Sequence, residues 1–458
     1  MRLGVTGLAR SGKTVFITAL VRNLIAGGRL PFFEPEAEGR IVRAYLEPQP
    51  DDELPRFDYE AHMSELMAAP PSWPQSTRRI SELRVTIEYA TQVRFKRALG
   101  LSKIHVDIVD YPGEWLIDLP LLDQDYAAFS REAFGLATQA KRSTHSQAWR
   151  NFLTALDPAQ REDESIARQG AELYTGYLKA VRASGAQATL APGRFLLPGD
   201  LAGSPLVTFF PMNNAPNTAQ ANGSLGAMME RRFESYKAQI VRPFFTGHFK
   251  RLDRQIVLVD VLGALDQGAD ALADLERAMT GIMRALRPKP QSWLSMILGK
   301  KLDKILFAAT KADHLPASSH DRLAAILKKM TEVAQTSAES SGAGVEAIAL
   351  SALRATRESQ VADDGEIFPC LTGTPLPGEK LGASVFDGTS EVALFPGDLP
   401  LNPDEALDKA RASPPGTLSL VRFRPPLLAK DSPSGSMTAL PHIRLDRALQ
   451  FLVADYLK

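Results

Sequence analysis

The residues with the plainest chemistry are Gly7-Leu8-Ala9-Arg10-Ser11-Gly12-Lys13-Thr14, a G-x-x-x-x-G-K-T run close to the start of the chain. Glycines at both ends let a backbone curl around an anion so that successive N–H groups point inward. The lysine supplies a cation to the β- and γ-phosphates of a nucleotide, and the following hydroxyl is a hard oxygen for Mg2+. The expected phosphate contacts are Gly7, Ala9, Arg10, Ser11, Gly12, Lys13, Thr14 and Val15, with Lys13 also acting on the transferring phosphoryl group.

Two further stretches carry chemistry at the ends of apolar runs. Asp110-Tyr111-Pro112-Gly113 is D-x-x-G, in which the Asp holds Mg2+ through water and the Gly gives its N–H to a γ-phosphate that only glycine lets approach. Asp260-Val261-Leu262-Gly263 has the same pattern, but Asp110 is preferred because its strand closes a hairpin, and Asp260 is expected to end the next sheet strand. Thr310-Lys311-Ala312-Asp313 offers a carboxylate that can accept from both N1–H and N2–H2 of guanine; adenine has no such pair of donors. The stem of Lys311 can lie over the base plane. Ser351-Ala352-Leu353 follows about forty residues later, where a backbone N–H can meet guanine O6.

These stretches need a scaffold that brings strand ends together. Arg2–Thr6 is read as a strand into the loop, and Phe16, Leu20 and Leu24, with Ile17, Val21 and Ile25, as one face of the helix after it, stopped by Gly27-Gly28. Glu82–Ala90 and Lys103–Val109 alternate as an antiparallel hairpin. Ile256–Val259, Lys304–Ala309 and Val345–Leu350 are short apolar runs suited to strands buried on both faces, with helices expected over 266–286 and 320–336. The fold class is therefore α/β, a P-loop nucleotide-hydrolase sheet with helices on both faces and ligand loops at its carboxyl edge.

The expected nucleotide domain is residues 1–28, 77–117 and 250–458, within which 360–435 is an irregular β-rich insertion with short strands at 384–386, 392–395 and 418–424. Residues 29–76 form a proline-rich insertion with short helices near 36–47 and 58–68. Residues 118–249 form a mostly helical inserted domain, with helices along 166–181 and 224–241 and a loop over 190–217. A last helix is expected over 444–457.

The chain of 458 residues has a formal net charge of zero, which gives no reason to expect nucleic acid as a partner. Its single cysteine, Cys370, excludes an internal disulfide. Met1 leads directly into the first strand, and no apolar run approaches membrane length. The expectation is a soluble cytoplasmic protein. The apolar patch Trp293, Met296, Ile297 and Leu298, ahead of Lys300-Lys301, is read as a buried connecting helix rather than a membrane contact.

The ordered set of motifs resembles the Ras-like GTPase superfamily. The wording of Gly7–Thr14, Asp110-Tyr-Pro-Gly-Glu-Trp115, Phe307-Ala-Ala-Thr-Lys-Ala-Asp-His314 and Pro441-His-Ile-Arg444 is similar to the YcjX-like family of bacterial stress-associated P-loop GTPases. The resemblance runs along the whole chain. It implies a GTPase domain carrying a helical domain, Mg2+-dependent binding of GTP and GDP, a stress setting, and a protein effector at or near the inner membrane. An ATPase and a nucleotide-gated scaffold with negligible hydrolysis are the competing readings.

One position departs from the superfamily: Glu114 stands where a water-orienting glutamine is common, and a carboxylate there repels the γ-phosphate, so slow hydrolysis is expected. The switch threonine must lie between the first helix and the hairpin. Thr77 in Trp73-Pro74-Gln75-Ser76-Thr77-Arg78-Arg79 is the candidate Mg2+ ligand beside Thr14 and Asp110, with Ser76 its competitor. Arg78 and Arg79 are candidates for the arginine that stabilises the transition state; an extended segment favours Arg79 and a turn favours Arg78.

Overall fold

The structure is a computed structural model. It describes residues 1–8, 10–75, 79–92, 100–184, 190–212, 221–247, 251–286, 302–340, 342–363, 366–429 and 437–458, leaving aside the side chains of 114, 282–286, 337, 362–363 and 366–368. The chain divides into two compact units: Met1–Pro112, Leu252–Ala273 and Pro290–Lys458 form the first, Gly113–Arg251 and Asp274–Lys289 the second.

The first unit is built on seven strands: β1 Arg2–Gly7, β2 Ile41–Glu47, β3 Ser81–Tyr89, β4 Ser102–Asp110, β5 Arg254–Val259, β6 Lys304–Ala309 and β7 Gly344–Ala349. Their order across the sheet is β2-β3-β4-β1-β5-β6-β7. β4, β1, β5, β6 and β7 are mutually parallel, and β3 runs antiparallel between β2 and β4. This is the α/β sheet of P-loop nucleotide hydrolases, flanked by helices. Every residue of β1 and β5 is buried, which fits the continuous apolar run Ile256–Val259 in β5.

Alternate residues of the strands build one core. Leu3 and Val5, Leu83 and Val85, Val106 and Ile108, Ile256 and Leu258, and Leu306 share a cluster with Phe16, Leu20 and Leu24 of α1 (Lys13–Ala26). The same cluster takes in Leu445, Leu449 and Leu452 of the helix Leu445–Val453, close to the end of the chain. The intervening strap also lies along α1: Arg22 Nε donates to Thr438 O at 2.9 Å and Leu440 N to Asn23 Oδ1 at 2.9 Å.

Several elements differ from the sequence expectations. The stretch 36–47 is not a helix. A single turn, Glu34–Ala37, stops before Gly39 (φ 65°), and Ile41–Glu47 is β2, an edge strand paired with β3. Its β-branched and aromatic residues were masked by interspersed charge; Val42 points out at 55% exposure while Ala44 is buried. The expected helix over 266–286 is two, Val261–Gln267 and Ala269–Leu286, broken at Gly268 (φ 83°); that over 320–336 is also two, His320–Met330 and Glu332–Ser340.

In the β-rich region the principal feature is a hairpin that alternation had not suggested, β8 Arg357–Asp363 with β9 Glu366–Gly373. β10 Lys380–Leu381 and β11 Ser384–Val385 make a small ribbon, and β12 Val392–Leu394 joins β9. The run 418–424 forms no strand, only a bridge from Phe423 to Pro375. The last helix is shorter than expected and closes with a 3-10 turn, Ala454–Leu457.

The second unit is helical. Tyr126–Ala137, Gln147–Thr154, Glu164–Ala183 and Leu225–Tyr236 meet on an aromatic core in which the Phe129 and Phe233 rings stack at 4.9 Å and Trp149 stacks on Tyr177 at 5.8 Å. On the long helix, Gly170, Tyr174, Tyr177, Leu178 and Val181 face inward. A Cβ on Gly170 would lie 2.2 Å from the Phe210 ring, so this glycine is required by packing. Leu225–Tyr236 continues as a π turn, Lys237–Val241, before the helix Arg242–Gly247, where Pro243 lacks the N–H an α-helix would use. The stretch expected as loop contains three short turns, Gly193–Leu196, Gly199–Leu201 and Pro205–Val207. Asp118 is buried, accepting from Gly193 N at 2.7 Å and from the Tyr236 hydroxyl at 2.5 Å. Burial pushes its carboxyl up to about 6.

Candidate nucleotide site

β1 ends at Gly7, and the backbone turns at once. A Cβ on Gly7 would lie 2.4 Å from Ser11 Oγ and 2.7 Å from the Leu258 carbonyl, so only glycine lets the loop leave this close to β5. Gly12 has φ 84° and Arg10 φ 64°. The left-handed form is open to glycine; for Arg10 it costs about 1–2 kcal/mol, held in place by the rest of the loop. Ser11 N donates to Leu8 O at 3.2 Å, closing the curl.

The loop fits an anion. Gly12 precedes α1 as its cap residue and offers no side-chain cap, so the first N–H groups and the dipole of α1 face the loop. Ser11 Oγ is buried without a hydrogen-bond partner among the described residues. Lys13 and Thr14 are buried at the head of α1, Val15 is half-buried, and Arg10 is exposed.

Strand register places the other motifs on the same edge. Asp110, fully buried, is the last residue of β4 and pairs with Val5 of β1, two residues before the loop. Thr14 Oγ1 donates to Gln75 O at 3.4 Å, so the segment entering 76–78 passes over the start of α1. The donor chemistry suits Mg2+: Thr14 and Asp110 offer hard oxygens.

Thr310-Lys311-Ala312-Asp313 follows β6, and Ser351-Ala352-Leu353 follows β7. The two loops are tied together. Ala312 N donates to Leu350 O at 3.2 Å, Ala355 N to Asp313 Oδ2 at 2.9 Å, and the Thr356 hydroxyl to Asp313 O. Asp313 is 4% exposed. Lys311 has φ 61°, and its ammonium pairs with Asp260. The S-A-L loop is held from behind by Pro441-His442-Ile443-Arg444, since Ile443 N donates to Ser351 O at 2.8 Å and Ser351 N to Ile443 O at 3.1 Å. Burial lowers the pKa of the His314 imidazole, whose ring meets Phe423 edge-on at 5.4 Å.

The structure thus brings Gly7, Arg10 to Val15, Asp110, Thr310, Lys311, Asp313 and Ser351 to Leu353 to one edge of one sheet. Arg79 is exposed, two residues before β3, whose first residue Ser81 pairs with Asp110. Glu82, a possible partner for the arginine pair, is fully buried against Arg2, 3.3 Å away. Ala9, Ser76, Thr77, Arg78, the Glu114 side chain and the patch at 293–301 lie outside the described residues. Gly113 opens the second unit. Sequence reasoning missed two partners of the base loops. Asp260 was visible as a second D-x-x-G, whereas nothing local marked Phe423.

Comparison with known proteins bears on the whole chain. A family model described as YcjX-like family, DUF463, matches residues 1–457. The protein named Ras-like GTPase YcjX from Escherichia coli (strain K12) is 36% identical over 469 residues, spanning 100% of this chain and 96% of that protein. One of the same name from Shewanella oneidensis (strain MR-1) is 34% identical over 477 residues, spanning 100% and 95%.

Proposed function

The chain belongs to the YcjX-like family, and from that premise we propose that it binds GTP and GDP and hydrolyses GTP, slowly and with Mg2+, as a nucleotide-dependent switch. The observation that carries the guanine part is Asp313. Its carboxylate is buried, fixed through one oxygen by Ala355 N–H, and retains lone pairs for the N1–H and N2–H2 edge of guanine. Adenine would leave that buried charge unpaired, which disfavours the ATPase reading.

Lys13 and the loop N–H groups serve the β- and γ-phosphates, and Arg78 or Arg79 the charge that spreads over the transferring group. Thr14, Thr77 and Asp110 would hold Mg2+, which when bound neutralises phosphate charge. Glu114 beside the γ-phosphate opposes fast turnover. Gly113 is both the residue that would sense the γ-phosphate and the first residue of the second unit, so a change at 110–116 passes into that unit along the chain itself. The second unit is the part we assign to a protein effector. The stress setting and the inner-membrane effector come with the family resemblance; no helix among the described residues is long and apolar enough to cross a membrane.

Competition titration tests the reading. GDP should displace a labelled guanine nucleotide at concentrations at least a hundredfold below ADP. Asp313→Asn should lose GDP and gain xanthosine diphosphate, whose O2 accepts from the new amide. Equal displacement by ADP and GDP overturns the proposal.

A further inference from the structure

Asp260-Val261-Leu262-Gly263 has the D-x-x-G pattern but a different set of contacts from Asp110. Asp260 directly follows β5, and Thr310 N continues the β5–β6 ladder by donating to Val259 O at 2.9 Å. The two strand ends therefore leave the sheet side by side. Asp260 then caps the short helix Val261–Gln267, its Oδ1 accepting from Gly263 N at 3.0 Å. Its other oxygen, Oδ2, forms the ion pair with Lys311 Nζ. Gly263 makes room for this: a Cβ there would stand 2.9 Å from Asp260 Oδ2.

Lys311 is therefore restrained at both ends. Its backbone is in the left-handed region and its ammonium is tied to a carboxylate that is itself fixed by a backbone N–H. A free lysine stem samples many rotamers and loses that freedom when it packs on a ligand. A stem held by Asp260 has lost part of it before the base arrives.

We propose that Asp260 is a positioning residue for base binding: by pairing with Lys311 it pre-sets the lysine stem as the platform on which the purine plane rests. This rests on the guanine reading of Thr310–Asp313. The second D-x-x-G then serves the base and the first the phosphates. Because a platform contacts the ring face and not its edge, Asp260 acts on affinity without choosing between purines.

The test is a double-mutant cycle on the full chain, read as dissociation of GDP carrying a ribose-linked fluorophore. Asp260→Asn keeps an oxygen for the Gly263 N–H, so the helix cap and the thermal midpoint should be retained. It should speed dissociation about tenfold, as should Lys311→Met, which keeps a stem but has no charge. The double variant should be no faster than Lys311→Met alone. In an Asp313→Asn background, Asp260→Asn should speed release of the xanthine analogue by the same factor. An unchanged rate in Asp260→Asn, or an effect that multiplies that of Lys311→Met, overturns the proposal. Failure of Asp313→Asn to exchange guanine for xanthine would defeat the guanine reading instead, and the cycle in GDP would still decide whether Asp260 acts through Lys311.

Discussion

The indole N–H of Trp73 donates a 2.7 Å hydrogen bond to the main-chain carbonyl of Phe423, 350 positions further along the chain. Phe423 is also the ring that meets His314, next to Asp313. One residue of the C-terminal arm therefore touches both the segment leading into 76–78 and the loop assigned to the base. Trp73→Phe keeps the ring and removes the bond, a loss of about 1 kcal/mol. Hydrogen exchange at 72–75 and 420–424 should rise about fivefold. Unchanged protection in both segments would show that this bond does not hold the arm.

The phosphate loop makes a steric prediction. Gly7→Ala puts a methyl against Ser11 Oγ and the Leu258 carbonyl, and backbone cannot move aside as a flexible side chain can. GDP affinity should fall at least about a hundredfold, or about 2.7 kcal/mol, in equilibrium titration. Gly12→Ala has open space around the new methyl but a φ of 84°, so its defect should be the smaller of the two, about 1–2 kcal/mol. The opposite ranking would mean that loop conformation, not its closeness to β5, is limiting.

Thr14 lies under the segment that enters 76–78. Removing its hydroxyl by Thr14→Ala should chiefly raise the Mg2+ concentration needed for turnover, while Lys13→Ala should weaken binding and abolish turnover. A Thr14→Ala protein with ordinary Mg2+ dependence would sink the assignment of this hydroxyl.

Arg79 stands exposed at the edge that carries Asp110. One of Arg79→Ala and Arg78→Ala should lower kcat about a hundredfold or more with little change in GTP affinity, the pattern of a contact made only in the transition state. Unaltered single-turnover rates in both variants and in the double would leave the role to an arginine from a partner, or to none.

Asp118 supplies a pH signature in the second unit. Its folded pKa of about 6 lies above the ordinary aspartate value of 3.8, with burial the main cause. Between those values this group binds more protons in the folded state than in the unfolded one, so its contribution to stability falls as pH rises from about 4 to 6 and is then level. The shift corresponds to about 3 kcal/mol. Asp118→Asn should remove this contribution, read as the pH dependence of the stability difference between wild type and variant in denaturant titrations of the full chain. Tyr236→Phe, which removes a bond to the charged form, should extend the slope to higher pH. A stability difference between wild type and Asp118→Asn that does not change with pH in this window would contradict the burial of Asp118.

Much of the sheet was legible because β5 and β6 leave continuous apolar runs, β3 and β4 alternate, and β1, with only Leu3 and Val5 apolar, stands directly before the phosphate loop. β2 was not legible. It is an edge strand whose Arg43 reaches Glu88 on its neighbour at 2.6 Å, so its stabilising contacts lie across strands and not along its own sequence. The paired breaks at Gly268 and Thr331 were hidden because apolar spacing continues through both. At the site, the motifs advertised Lys13, Asp110 and Asp313 through residue type and spacing. Their supports are remote: Ala355 for Asp313, Ile443 for Ser351 and Phe423 for Trp73 lie 42, 92 and 350 positions away. Such contacts follow from the tertiary course of the chain and leave no local pattern.

The hydrogen bonds that tie Arg22 and Asn23 of α1 to Thr438 and Leu440 also have a consequence for biosynthesis. The helix that follows the phosphate loop is translated long before Leu440, Leu445, Leu449 and Leu452, which complete the core cluster it joins. A nascent chain must carry that cluster incomplete through the synthesis of both units. An emerging chain of this kind is aggregation-prone and suited to holding by chaperones. Ribosome-stalled chains ending before 438 should therefore fail to retain nucleotide, even though every residue assigned to the phosphates and the base has by then been made.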